Sequence, residues 1–319
     1  MDGLLVIDKP SGLTSHDVVA RARRLLRERR IGHTGTLDPL ATGVLPLVVG
    51  RATRLARFLT ASDKSYDATL RLGITTTTGD ADGTPIGSAW DGAWPTPAAI
   101  EEVLDRFRGR SLQRPPLVSA KKVDGERSYV RARQDVHAEP PPPVMVTAHA
   151  IVLESAEAGV VRIHVRVSAG YYVRSLVHDL GVALGTGAHL TALRRTASGR
   201  MTLAEAWPLE SPDDDGAGAR AVAHLRPMRD ILTDWPTVRL SAQGLAHVRC
   251  GRTVGPGDAE TWANWGLDAE AGAVPEASPA EAPVAPLPRV RLLGPDGELV
   301  ALGTPTGVGG LLHPSVVLV

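Results

Sequence analysis

Residues Gly32-His33-Thr34-Gly35-Thr36-Leu37-Asp38-Pro39-Leu40-Ala41-Thr42-Gly43 set a carboxylate and an imidazole among three glycines and a proline. No helix or strand accommodates breakers at that density, so the segment is a loop. Asp38-Pro39 has two readings within it. It can be a turn, with Asp bonding its own backbone and Pro fixing φ. Alternatively, Asp38 can be a covalent nucleophile, which requires a nearby cation to balance and aim the carboxylate. The local spacing supplies no such cation, so on this second reading it must come from elsewhere in the chain. Other chemistries are excluded. Gly35 is not followed by the Gly-Lys-Ser/Thr of a phosphate-binding loop, and no strand-GxGxxG-helix unit occurs, so no nucleotide cofactor is expected. Asp80-Ala81-Asp82-Gly83 resembles the opening of a calcium loop, but Pro85 stands at that loop's glycine position and Asp91 at its closing glutamate, so it reads as a turn. The histidines are scattered with no His-Glu-x-x-His, and Cys250 is alone, so no metal site is expected. Cys250 itself reads as a small buried apolar residue.

The elements around the loop follow from periodicity. The apolar run at 4–7 is a strand ending in the turn Asp8-Lys9-Pro10-Ser11-Gly12. Thr14 or Ser15 then caps a helix over 16–30. Val18, Val19, Ala22, Leu25 and Leu26 form its apolar face, and Arg21, Arg24, Arg27, Arg29 and Arg30 lie on the other. The loop therefore lies between this helix and the apolar stretch Val44 to Val49. Further strands are expected at 66–72, 144–153 and 160–167, and helices at 97–107 and 173–184. Residues 111–143 are basic and bounded by Pro140 to Pro143, which reads as a protruding insertion. Strand-like pieces at 237–255 and 289–319 make a small β domain, interrupted by a flexible Ala-, Pro- and Glu-rich insertion at 256–288. The expected division is a main domain over 1–235 and a small one over 236–319.

The formal net charge of +0 conceals an asymmetry. Residues 1–200 hold 27 Lys and Arg against 20 Asp and Glu, whereas residues 201–319 hold 8 against 15. A basic main domain is the electrostatic footprint of a protein that meets phosphates, because each neutralised phosphate releases condensed counterions. The first residues lack a basic segment ahead of a long apolar one, and no run is long and apolar enough to span a bilayer, so a cytoplasmic protein without a membrane partner is expected.

Gly3-Leu4-Leu5-Val6-Ile7-Asp8-Lys9-Pro10-Ser11-Gly12-Leu13-Thr14-Ser15, followed by the 32–43 loop and Val44-Leu45-Pro46, resembles the paired signature of the TruB family of tRNA pseudouridine synthases. Asp63-Lys64-Ser65-Tyr66, Gly79-Asp80-Ala81-Asp82-Gly83, Gln113-Arg114-Pro115-Pro116, Ser119-Ala120-Lys121-Lys122, Gly170-Tyr171-Tyr172-Val173-Arg174-Ser175 and Gly187-Ala188-His189-Leu190 through Leu193-Arg194-Arg195 extend the likeness over residues 3–210. The resemblance implies an α/β domain of the α+β type, with a mixed, largely antiparallel sheet flanked by helices, followed by a small PUA-like β domain that binds RNA. It implies isomerisation of the uridine at position 55 in the T arm of tRNA, without a cofactor. It makes Asp38 the nucleophile, by attack on C1′ or by proton abstraction to a glycal, and Arg174 the cation that orients it. Tyr66 would stack on the base and help remove the C5 proton, with Tyr172 and Leu193 completing the pocket wall. His33 would enter the opened T loop. Lys9 is also assigned to substrate binding, and Lys121 and Lys122 to phosphates of the T arm.

Two alternatives stand beside this reading. One is a non-catalytic RNA chaperone, which would not need Asp38. The other is the catalytic subunit of a guide-RNA particle, which shares the domain; the insertion at 111–143 argues instead for direct T-arm recognition without a guide RNA, and the acidic C-terminal part against a large docking surface. A monomer is expected by default.

Overall fold

The computed structural model describes residues 1–117, 122–123, 126–127, 141–262, 289–306 and 310–319. Lys121, most of the insertion expected at 111–143 and residues 263–288 lie outside the described residues. By its internal contacts the chain forms two compact units. One comprises Leu5–Val48 and Leu55–Leu225, the other Met1–Leu4, Val49–Arg54 and Arg226–Val319.

The first unit is built on a mixed sheet. Its strands are β1 (Gly3–Lys9), β2 (Ile31–His33), β3 (Thr42–Val49), β4 (Lys64–Leu72), β7 (Gly109–Gln113), β10 (Val144–Glu157), β11 (Val160–Val167), β12 (Ala188–Ser198), β13 (Met201–Thr202) and β14 (Trp207–Pro208). Two small ribbons, β5 (Thr75–Thr76) with β6 (Pro85–Ile86) and β8 (Lys122–Val123) with β9 (Glu126–Arg127), stand apart. The strand order is β14-β1-β3-β12-β4-β11-β10-β7, with β2 on β3 and β13 on β12. Pairs from β12 through β4, β11 and β10 to β7 are antiparallel, while β12 runs parallel to β3 and β1 to β14. The largely antiparallel sheet expected from the resemblance is thus present. Along β4 the side chains alternate. Lys64, Tyr66, Ala68, Leu70 and Leu72 are buried while Asp67 and Arg71 face solvent, so Lys64 and Tyr66 share the core face.

Helix Ser15–Leu26 begins as expected. Thr14 accepts from the Asp17 amide at 3.1 Å, and the Asp17 carboxylate accepts from the Thr14 amide at 2.8 Å, a reciprocal cap. It buries Val18, Val19, Ala22, Leu25 and Leu26. It ends earlier than its apolar pattern suggests, because Arg27 turns left-handed at φ 49° and leaves Arg29 and Arg30 beyond the helix. Helix Val173–Ala183 packs on β12. One expectation is corrected: Gly109–Gln113, partly assigned to the insertion, is an edge strand of the sheet. Strand β12, central in the sheet, is one that periodicity does not reveal.

Where β3 meets β12, Gly43 is opposite Arg195 at φ 98°, and a Cβ there would lie 2.2 Å from the Arg195 carbonyl oxygen. Gly43→Ala must therefore push β3 away from β12 and hold Ala left-handed. A loss of about 2–4 kcal/mol is expected from the combined overpacking and backbone penalties. Thermal unfolding of the purified variant measures it, and an unchanged midpoint would contradict this packing.

The second unit contains a five-stranded sheet, β16 (Ala259–Thr261), β15 (Thr237–Leu240), β17 (Val290–Leu293), β18 (Leu299–Pro305) and β19 (Leu312–Val317), in that order. Val238, Leu240, Val248, Val254, Val290, Leu292, Val300, Ala301 and Leu312 form its core. Residues Ala242–Arg249, expected to carry strand-like pieces, are a helix capped by Ser241, with Leu245 and Val248 turned to that core. Cys250 follows its last turn and is exposed, contrary to the buried site expected for it.

Candidate active site

A cleft of about 500 Å³ opens on the core face of the first unit's sheet. The loop from Gly35 to Asp38 forms one wall. Tyr66 from β4, Leu193 and Arg195 from β12, Met145 from β10 and the 168–174 segment complete it. Sequence-distant residues converge because adjacent strands carry them and one turn leads into a helix.

The cation absent from the local sequence is Arg174. Its Nε donates to Asp38 Oδ2 at 2.8 Å and its Nη2 to Asp38 Oδ1 at 3.1 Å, a two-point fork. Arg174 is 5% exposed as a side chain, while Asp38 is 36% exposed toward the cleft. The guanidinium is itself fixed, because Nη1 donates to the Thr78 carbonyl at 3.0 Å and a second carboxylate, Asp80, lies 3.8 Å from Nε. Asp80 is buried and accepts from the Thr78 hydroxyl and, at 3.2 Å, from the Asp82 amide. The turn expected at Asp80 to Gly83 is present, closed by Gly83 N–H to Asp80 O at 3.2 Å. What the sequence did not show is that its carboxylate faces Arg174.

The backbone on either side of Asp38 is clamped. The Ser15 hydroxyl accepts from the Leu37 amide at 2.9 Å and donates to the Leu37 carbonyl at 3.1 Å. Lys9, assigned above to the substrate, is instead fully buried and donates to Pro10, Leu13 and Pro39 carbonyls at 2.9, 2.7 and 3.2 Å. It therefore supports the loop from beneath and presents no surface to a ligand. Burial pushes its ammonium down to about 8, against the opposing pull of Asp38. Arg195, 1% exposed, ties the loop's two ends, donating from Nε to Val44 O at 2.6 Å and from Nη2 to Gly35 O at 3.1 Å.

Tyr66 and Leu193 are 9% and 8% exposed and line the cleft. Tyr172 also lines it and stands just before helix Val173–Ala183. Gln113 pins it there, accepting from the Tyr172 amide at 2.8 Å and donating to its carbonyl at 3.0 Å. His33 does not line the cleft; at the end of β2 it packs edge-on against His16 with ring centroids 5.7 Å apart. Lys122 begins β8, and its side chain is outside the description, as is all of Lys121. Away from the cleft, Asp67, Glu154 and His164 bring ligand atoms within 4.8 Å of one another. Asp67 alternates with Tyr66, so this potential metal group faces solvent on the opposite side of the sheet.

Residues 23–173 match the family described as TruB family pseudouridylate synthase (N terminal domain), and residues 174–232 match the tRNA pseudouridylate synthase B C-terminal domain. A protein of Synechococcus sp. (strain WH7803) named tRNA pseudouridine synthase B is 42% identical over 318 residues, covering 99% of this chain and 97% of its own. The chain belongs to the TruB family of pseudouridylate synthases. A second TruB relative, named tRNA pseudouridine synthase B in Solibacter usitatus (strain Ellin6076), is 46% identical over 79% of this chain and 85% of its own. Among solved structures, the chain is similar to a protein in an H/ACA RNP bound to a substrate RNA containing 2′-deoxyuridine, at TM-score 0.69 and 25% identity. That match covers 99% of this chain and 85% of the other. It is equally similar, at TM-score 0.69 and 28% identity, to one in a Cbf5-Nop10-Gar1 complex, with the same coverage. Among the described residues of this TruB chain, no helix is long and apolar enough to cross a membrane.

Proposed function

We propose that this enzyme converts the uridine at position 55 in the T loop of tRNA to pseudouridine, with Asp38 as nucleophile and no cofactor. The observation that carries the reading is the Asp38–Arg174 fork, set in the wall of a cleft that Tyr66, Tyr172 and Leu193 also line. The reaction breaks the bond from ribose C1′ to uracil N1, turns the base and joins C1′ to C5. N1 regains a proton and C5 loses one, so redox and energy balance without a co-reactant. Asp38 serves either route, attacking C1′ or abstracting a proton to give a glycal. Arg174 aims it and balances its charge. Tyr66 stacks on the base, a contact worth about 1–3 kcal/mol, and assists removal of the C5 proton.

The target base must leave its stack to reach this cleft, at a cost of a few kcal/mol. His33 enters the loop it vacates, while Lys121, Lys122 and the arginines of helix Ser15–Leu26 hold T-arm phosphates. The small β unit, expected to begin near residue 236, adds RNA contacts. The enzyme acts as a cytoplasmic monomer without guide RNA. The guide-dependent reading draws on the H/ACA neighbours, but the relatives named for tRNA are the more similar in sequence, at 42–46% against 25–28%.

The test is incubation of purified protein with unmodified tRNA transcript, without cofactor or guide, followed by chemical labelling and primer extension. A single new stop at the T-loop uridine is expected. No product despite salt-sensitive binding would support the chaperone or the guide-dependent particle instead.

A further inference from the structure

Among the described residues, four cations stand around the Asp38 loop, and two are already accounted for. Arg174 is answered by Asp38 and Asp80, and Lys9 gives its ammonium to three carbonyls outside the cleft. Lys64 and Arg195 differ. Both line the cleft, both are buried at 7% and 1% exposure, and among the described residues neither has a carboxylate within ion-pair distance. They are neighbours: the point where a Cβ on Gly35 would sit is 3.4 Å from Arg195 Nη1 and 3.8 Å from Lys64 Cε. Each retains donor capacity. Lys64 gives two of its three ammonium hydrogens to Thr60 O and Ser62 O, at 2.6 and 2.5 Å. Arg195 donates through Nε and Nη2, leaving Nη1 without a partner among the described residues. Burying adjacent like charges is costly unless an opposite charge joins them.

Their position indicates which anion that is. Lys64 stands two residues before Tyr66 on β4, and Arg195 two residues after Leu193 on antiparallel β12. By register Arg195 is level with Tyr66 and one step past Leu193, and Lys64 lies one step past Tyr66 in the same direction, so the pair extends from the base-lining side chains toward one end of the cleft. One such step is about 6–7 Å along a strand, comparable to the reach from a nucleobase to its own backbone phosphate. We propose that Lys64 and Arg195, with Gly35 and Thr36 beside them, form an anion subsite for the phosphodiester adjoining the flipped nucleoside. The proposal rests on the RNA-uridine reading above. Burial and the Arg195 charge push the Lys64 ammonium down to about 8; a bound phosphate would draw it back up.

The experiment uses T-arm RNAs carrying one uncharged methylphosphonate, placed either 5′ or 3′ of the target uridine, under single-turnover conditions. With wild-type protein, one of the two linkages is expected to lower kcat/KM on the order of ten-fold, the scale of one charge-assisted hydrogen bond. In Lys64→Met the same linkage should cost about two-fold or less, while Lys64→Arg should retain the sensitivity. The salt dependence of Lys64→Met binding should also weaken, by roughly 0.7 in log–log slope. Thermal unfolding of both variants reports on folding, and the wild-type arm stands even if Lys64→Met fails to fold. Wild-type indifference to both linkages overturns the subsite, as does an equal penalty in wild type and Lys64→Met. Absence of product from the all-phosphate RNA would overturn both the subsite and the reading beneath it.

Discussion

Asp38→Asn is expected to bind tRNA within a few-fold of wild type and to form pseudouridine slower by about 10⁴-fold or more, the scale on which losing a nucleophile costs turnover. The amide occupies the same volume but cannot attack C1′ or accept a proton. It also presents an NH₂ to one arm of a fork in which Arg174 Nε and Nη2 each need an acceptor. Stability should change little, because Asp38 faces the cleft and Arg174 keeps the Thr78 carbonyl and Asp80. Single-turnover rates alongside filter binding separate the two effects. Retention of a tenth of the wild-type rate would remove Asp38 from the chemistry.

The second large effect belongs to Arg174. Lysine keeps the charge but has one donor centre and cannot span both carboxylate oxygens while reaching Thr78. Arg174→Lys should therefore lower kcat by about 10²–10³-fold with KM near wild type, since the lost interaction aims a reacting group. Arg174→Met should act differently. It leaves Asp80 buried at 6% exposure without its cation, a loss of about 3–5 kcal/mol by analogy with broken buried pairs. Measured kcat and thermal midpoints of the two variants distinguish aiming from folding. Full activity in Arg174→Lys would contradict the role given to the fork.

The sequence shows the Asp38 loop because glycines and proline at that density admit no regular element. Its chemistry is hidden, because the partner that turns a turn aspartate into an aimed carboxylate lies 136 residues away. The family resemblance supplies Arg174, Tyr66 and Leu193. Asp80 escapes for a different reason. Its bonds to Thr78 and Asp82 are what a turn requires, and nothing local distinguishes a carboxylate that also faces a guanidinium. Lys9 is misplaced because a lysine in a functional motif reads as a substrate contact, whereas its fully buried ammonium closes a backbone turn. Strand β12 is hidden because register shifts at Leu190/Ala192 and Arg195/Ala197 break the period-two pattern that marks a strand.

Those same shifts bracket three consecutive residues with three separate jobs. Leu193 lines the cleft, Arg194 reaches Asp8 at 2.7 Å on the opposite face, and Arg195 turns back to clasp the Asp38 loop. Adding or removing one residue here would exchange the faces, presenting Arg194 to the cleft and turning Leu193 outward. This stretch can therefore change its letters but not its length, so diversification of the pocket by evolution or in the laboratory must proceed through substitution in β12 and leave insertions and deletions to the surrounding turns.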